Sequence, residues 1–211
     1  MFISTHAYSA QVLGQRESET LPKFMQDLQH LRHLQAAWAN HKITHRTAQL
    51  LALAERIEAN KPELAAAVCM EVGRCLRECE AEIDKTVDLI RYYAKLAPEL
   101  LDSKTITTQA SLSQVRFEPL GVVLAVMPWN YPVWQIMRFA VPALCAGNAC
   151  LVKPAPSVAQ VTAKLMALVD EAMPLHASYI EHDLIETAIE SADAMAFTGS
   201  TDTGRYLASL A

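Results

Sequence analysis

Residues 121–157 read GVVLAVMPWNYPVWQIMRFAVPALCAGNACLVKPAPS. Gly121 to Val126 is a continuous apolar run rich in β-branched residues, the kind of strand buried on both faces of a parallel sheet. Asn130-Tyr131-Pro132 opens an apolar segment expected to be helical to about Ala146, with Pro142 as an internal kink and Gly147 as its stop. Ala149 to Val152 is a second short strand, and Pro154-Ala155-Pro156 leads the chain away from it. Strand, helix and strand in this order predict a right-handed crossover in a parallel α/β sheet, with ligands beyond the carboxyl ends of the strands. Pro119 to Met137 carries no charge, but its prolines, Gly121 and Asn130 would leave backbone groups unpaired in lipid, so it is not read as a membrane span.

The pattern continues downstream. Ser157 with Gln160 resembles a capping box before an amphipathic helix from Val158 to Met173. A weaker strand at Ser178–Ile180 precedes a helix from about His182 to Glu190. Met195–Phe197 is a further apolar strand, followed by Thr198-Gly199-Ser200 and a last helix from about Thr201. Upstream the periodicity is helical. Phe24, Leu28, Leu31, Leu34 and Trp38 form one apolar stripe, and Leu50, Leu51, Leu53, Ala54 and Ile57 mark the inward side of a second helix from about Thr44 to Ala59. A third helix runs from Pro62 to Val72 and is stopped by Gly73; a fourth spans about Leu76 to Leu96. Beyond Pro98, Thr105–Thr108 and Leu112–Phe117 read as two strands of a hairpin or extended arm.

Composition narrows the function classes. The 211 residues carry 18 Lys+Arg against 23 Asp+Glu, a net charge of −5, and are 52% hydrophobic. This is a globular composition with no general electrostatic attraction to nucleic acid or to an anionic membrane. The amino-terminal stretch has no basic region followed by an apolar one, so a cytoplasmic location is expected. Five cysteines, an odd number without CxxC spacing, point to free thiols. His30/His33 and His41/His45 have helical spacing but no third ligand in pattern, and no metal site is expected.

The residues that could carry chemistry stand at strand ends. With six glycines and no GxGxxG after the first strand, the ordinary dinucleotide fingerprint is absent. Instead Met127-Pro128-Trp129-Asn130 follows that strand. The Asn130 amide could donate to a developing oxyanion or could cap its helix. Lys153 ends the second strand, where it could reach the hydroxyls or phosphate of a nucleotide or could be plain surface. Gly199 and Ser200 open a helix whose amides and dipole suit a phosphate, although serine is also a good cap.

The stretch Glu118–Ser157, together with Phe197-Thr198-Gly199-Ser200 and Gly204, closely resembles the aldehyde dehydrogenase superfamily. EVGRCLRECEAEID at Glu71–Asp84 is similar to the family's E-x-G-K/R helix, and Trp129-Asn130 with WQIMRFAVPAL looks most like the succinate-semialdehyde dehydrogenase branch. The resemblance implies that Asn130 stabilises the oxyanion of the thiohemiacetal and that Met127, Pro128 and Trp129 line the nicotinamide end. It implies that Lys153 binds the adenosine ribose within Lys153-Pro154-Ala155-Pro156, and that Gly199 and Ser200 meet the pyrophosphate. Pro156 falls where NAD-preferring members often place a glutamate, so NADP should be tolerated as well as NAD. The strands near 105–117 match the arm used in assembling dimers and tetramers.

The resemblance also implies a cysteine nucleophile and a glutamate base in motifs that follow the FTGS element, and neither motif occurs in this chain. The expected architecture is therefore an aldehyde dehydrogenase-like α/β fold truncated before the catalytic domain. Its parts are a helical portion over 1–104, a strand arm over 105–118 and a Rossmann-like NAD(P)-binding portion over 119–211. Three functional readings stay open: a nucleotide-binding fragment inactive alone, a pseudoenzyme or assembly module that partners a full-length relative, or a scaffold fragment whose incomplete pocket binds no nucleotide. Exposed apolar surface would favour a homo-oligomer or such a pairing.

Overall fold

The computed structural model describes all of residues 1–211. The chain begins with an antiparallel hairpin, β1 (Phe2–Thr5) and β2 (Val12–Arg16), for which the sequence reading has no counterpart. Only Phe2 and Ser4 of β1 turn inward, too short an alternation to stand out. Four helices follow: α1 (Leu21–Asn40), α2 (Ile43–Ala59), α3 (Lys61–Val72) and α4 (Leu76–Leu100). Gly73 ends α3 at φ 82°, the left-handed conformation glycine adopts without penalty. Leu51, expected inward, is exposed. Pro98 lies inside α4 rather than beyond it, because a proline in a last turn forfeits only one hydrogen bond.

The expected arm is present in shortened form. β3 (Lys104–Thr105) and β4 (Gln114–Val115) pair antiparallel over two residues each. Every residue in them is exposed, and a ribbon without a packed face has little to extend it.

The parallel sheet is built from β5 (Val122–Val126), β6 (Ala149–Lys153), β7 (Leu175–Ala177) and β8 (Ala194–Phe197), in the order β7-β6-β5-β8. Helices α5 (Pro132–Cys145), α6 (Ala159–Met166) and α7 (Ile185–Ser191) make the connections, and α8 (Thr201–Leu210) follows β8. Side chains alternate as a pleat requires. Ala125, Cys150 and Val152 pack with α2 to α6, whereas Val122, Leu124, Ala149 and Leu151 pack with α1, α7 and α8. Gly121 enters β5 at φ 125°, and a Cβ there would sit 2.3 Å from Asp193 Oδ2. That carboxylate accepts the Val122 N–H at 2.8 Å and the Arg32 guanidinium at 2.9 Å, which fixes the start of the central strand.

Three local expectations are corrected. The strand expected at Ser178–Ile180 lies at Leu175–Ala177. The Ser178 N–H still reaches the Val152 carbonyl at 2.8 Å, and the ladder ends at Tyr179, whose N–H goes to Glu19 at 2.9 Å. Helix α6 stops at Met166, not Met173, and its final turns tighten while Arg56 Nε binds the Leu168 carbonyl at 2.6 Å. The capping box does not form: Ser157 sits in a single 3-10 turn, Pro156–Val158, and the first amides of α6 donate to Glu71 instead. No helix is long and apolar enough to cross a membrane.

Candidate functional site

The strand ends named from sequence form one row. Val126 is the register partner of Lys153 on one side and of Phe197 on the other. The Met127 N–H reaches the Lys153 carbonyl at 3.1 Å, and the Thr198 N–H reaches that of Val126 at 3.2 Å. From β5 the chain steps outward through β6 to β7 and returns to the far side of β5 as β8. The crevice of such a sheet opens at that reversal, beyond the carboxyl ends.

Lys153 is 5% exposed, not a surface lysine. Its ammonium has no carboxylate or hydrogen-bond partner in the chain and lies 5.8 Å from the centroid of the Phe2 ring. Burial pushes it below the ordinary lysine value, with Glu181 pulling the other way. It faces a cavity of about 310 Å³ bounded by Val126, His182, Asp202, Thr203 and Tyr206. The side chain is buried while its ammonium opens into that cavity, where an oxygen-rich ligand would pair it. Phe2 was not singled out from sequence, because the first residues offered only a short alternation.

The same cavity touches the first turn of α8. Ser200 caps this helix, its Oγ accepting the Thr203 N–H at 3.2 Å. The Gly204 N–H goes to the Ser200 carbonyl, while those of Thr201 and Asp202 have no acceptor in the chain. Those free donors at a helix amino terminus suit an anion. The glycines of this element answer to a ring: a Cβ at Gly199 would lie 2.5 Å from Phe197, and one at Gly204 3.1 Å.

Asn130 does not cap its helix. The capping position of α5 is Tyr131, with no side-chain cap bond, and the exposed Asn130 amide is bound to nothing in the chain. It lines a second cavity, of about 530 Å³, with Glu82, Lys85, Tyr131, Trp134 and Gln135. Around it Met127 is buried, Pro128 half-buried and Trp129 55% exposed. Past Lys153, Pro154 is buried, Ala155 half-buried and Pro156 exposed, and this turn presents no carboxylate.

Two glutamates complete the frame without having been assigned a role. Glu71 accepts the Gln160 and Val161 N–H groups at 3.0 and 2.8 Å, and Glu82 those of Val133 and Trp134 at 2.9 and 3.0 Å. Burial pushes both carboxyls above the ordinary range, against the amide donors and, at Glu82, the Arg74 guanidinium. They cap α6 and α5 with carboxyl groups from distant helices, whereas the start of α8 is met only by the hydroxyl of its own Ser200. The signal was present in EVGRCLRECEAEID, where a helical stripe includes acids on its inner side.

Three of the five free cysteines are closed off from solvent. Cys79, Cys145 and Cys150 are buried, and burial pushes the first two up to about 11 and Cys150 higher still. Cys69 is half-buried in α3, and the exposed Cys75 precedes α4. None lines the cavity that holds Asn130.

The sequence model described as the aldehyde dehydrogenase family matches residues 4–211. The chain belongs to the aldehyde dehydrogenase family. It is 35% identical over 188 residues to the NADP(+) succinate-semialdehyde dehydrogenase of Mycobacterium avium, covering 83% of this chain and 37% of that enzyme. It is 32% identical over 160 residues to the succinate semialdehyde dehydrogenase Sad of Escherichia coli, covering 74% of this chain and 35% of the relative. Among solved structures, succinic semialdehyde dehydrogenase from Streptococcus pyogenes in complex with NADP+ superposes with a TM-score of 0.93 at 25% identity. That match covers 100% of this chain and 48% of the other. The chain thus spans about half the length of this solved family member, and its matches span about a third of the two curated relatives.

Proposed function

We propose that this chain forms the nucleotide-binding part of an NAD(P)-dependent enzyme that oxidises an aldehyde of the succinate-semialdehyde type to a carboxylic acid. The observation that carries the reading is Lys153, a buried side chain whose ammonium has no partner in the chain and faces a cavity shared with the free amides of α8. Lys153 would hold the hydroxyls or phosphate of the adenosine ribose, flanked by Pro154, Ala155 and Pro156. Gly199 and Ser200, with the amides behind them, would hold the pyrophosphate. The absence of a carboxylate at Pro156 leaves room for a 2′-phosphate, so both NAD and NADP are accepted. Met127, Pro128 and Trp129 would border the nicotinamide, which when bound supplies the hydride acceptor. Asn130 would donate its free amide to the oxyanion formed at the aldehyde carbon.

None of the five thiols lines the cavity that holds Asn130, so in this reading the reacting centre takes its thiol and base from polypeptide outside these 211 residues. In this reading residues 1–104 and 119–211 frame the nucleotide and 105–118 serve assembly. The arm favours an associating protein, either a homo-oligomer or a pairing with a longer relative. Ile106, Leu112 and Phe117 are at least half exposed, and Leu120 beside the arm is 68% exposed. The test is a fluorescence titration of the 211-residue chain with NADPH, beside an assay with succinate semialdehyde. Saturable binding with no turnover is expected. Absence of binding overturns the nucleotide assignment, and turnover by the pure chain overturns the reading of its thiols.

A further inference from the structure

We propose that Arg74 and Glu82 are positioning residues for Asn130, clamping the turn that presents its amide; the proposal rests on the oxyanion role given to Asn130 above. The Asn130 side chain has no partner in the chain and lies in an exposed turn, so its direction must be set by what holds its neighbours. Glu82, 3% exposed on α4, reaches across to α5. One of its oxygens accepts the Val133 and Trp134 N–H groups, pinning the helical turn that begins two residues after Asn130. Its other oxygen binds Arg74 Nη2.

Arg74 adds the second half of the clamp. Its guanidinium carbon stands 3.9 Å from the centroid of the Tyr131 ring, so the residue next to Asn130 is held by its face. Two of the Arg74 nitrogens, Nε and Nη1, are buried with no acceptor. Here the cation is placed by an anion on one side and a ring on the other, and both contacts lead to the same turn. The cavity that Asn130 lines is bounded by Glu82 and Tyr131, so a shift of either side chain moves the floor beneath the amide.

Three tryptophans provide the test in the 211-residue chain. Trp129 and Trp134 flank Asn130 and Tyr131, while Trp38 donates to the Leu144 carbonyl at 2.8 Å and serves as an internal reference. In 15N-labelled protein the three indole N–H signals are recorded with the Asn130 side-chain amide, identified by its loss in Asn130→Ala. Arg74→Met is expected to move the Trp129 and Asn130 signals by more than their line widths while Trp38 stays in place. Arg74→Lys keeps a cation between Glu82 and Tyr131 and is expected to bring Asn130 most of the way back. Unmoved Trp129 and Asn130 signals in Arg74→Met overturn the proposal. Where Arg74→Met unfolds, so that the three indole signals including Trp38 collapse together, Glu82→Gln decides. It keeps an oxygen for the α5 amides and removes the charge that holds Arg74. Movement of Asn130 against a fixed Trp38 upholds the clamp, and no movement overturns it. These signals report geometry, so a failure of nucleotide binding or of oxyanion chemistry leaves the result readable.

Discussion

The starts of α5 and α6 differ from that of α8 in one respect that separates structure from chemistry. At α5 and α6 the first amides are met by Glu82 and Glu71, buried carboxylates delivered from the helical side of the molecule. At α8 the cap is a neutral serine, two amides remain free, and the nearby cavity holds a lysine without a partner. Polar groups that are satisfied within the chain hold the frame together, whereas those left unsatisfied at the strand ends are, in the proposed reading, the ones that would meet a nucleotide. Stability and function should therefore respond in opposite ways to substitutions on the two sides.

The largest effect is expected at Glu82. Glu82→Ala leaves two amides and the Arg74 guanidinium unpaired in the interior, and chemical denaturation should show a loss of about 3–5 kcal/mol. Glu71→Ala removes the acceptor of two amides without stranding a cation, and the same measurement should give about 2–3 kcal/mol. Both carboxyls titrate above the ordinary range in the fold, so the folded chain binds more protons than the unfolded one in the window just above the usual carboxylate value. Unfolding free energy should fall as pH rises through that window, and denaturation at a series of pH values should show a shallower slope in Glu71→Gln. Ser200→Ala removes an exposed cap and should cost about 1 kcal/mol. The smallest effect on stability is expected at Lys153. Lys153→Met replaces an unpaired ammonium at the end of a buried side chain by an uncharged chain of similar length, and the unfolding free energy should be unchanged or higher by about 1 kcal/mol.

Much of this frame was legible before the structure. The apolar run Gly121–Val126 is the central strand because it is buried on both faces, and Gly73 and Gly147 end helices at positive φ. What escaped depended on partners distant in the chain. Tyr179 has the composition of a strand, but Glu19 takes its N–H and ends the ladder after Ser178, leaving β7 at Leu175–Ala177. Ser157 and Gln160 have the spacing of a capping box, but Glu71 supplies a charged acceptor from another helix. At the site the row Lys153–Val126–Phe197 followed from strand order and was readable as an alignment of ends. The burial of Lys153 was not, because the Phe2 ring beside it comes from a hairpin more than a hundred residues upstream. Nor could sequence decide between capping and free presentation for Asn130, since that depended on Glu82 taking the cap.

The most direct test of the unsatisfied side is a comparison of NADPH affinity in the wild-type chain, Lys153→Met and Asn130→Ala by fluorescence titration. Saturable binding in the wild type, weakened at least tenfold by Lys153→Met (about 1.4 kcal/mol) and little changed by Asn130→Ala, is the expected result. Equal affinity in wild type and Lys153→Met, or no saturable binding in any of the three, would contradict it.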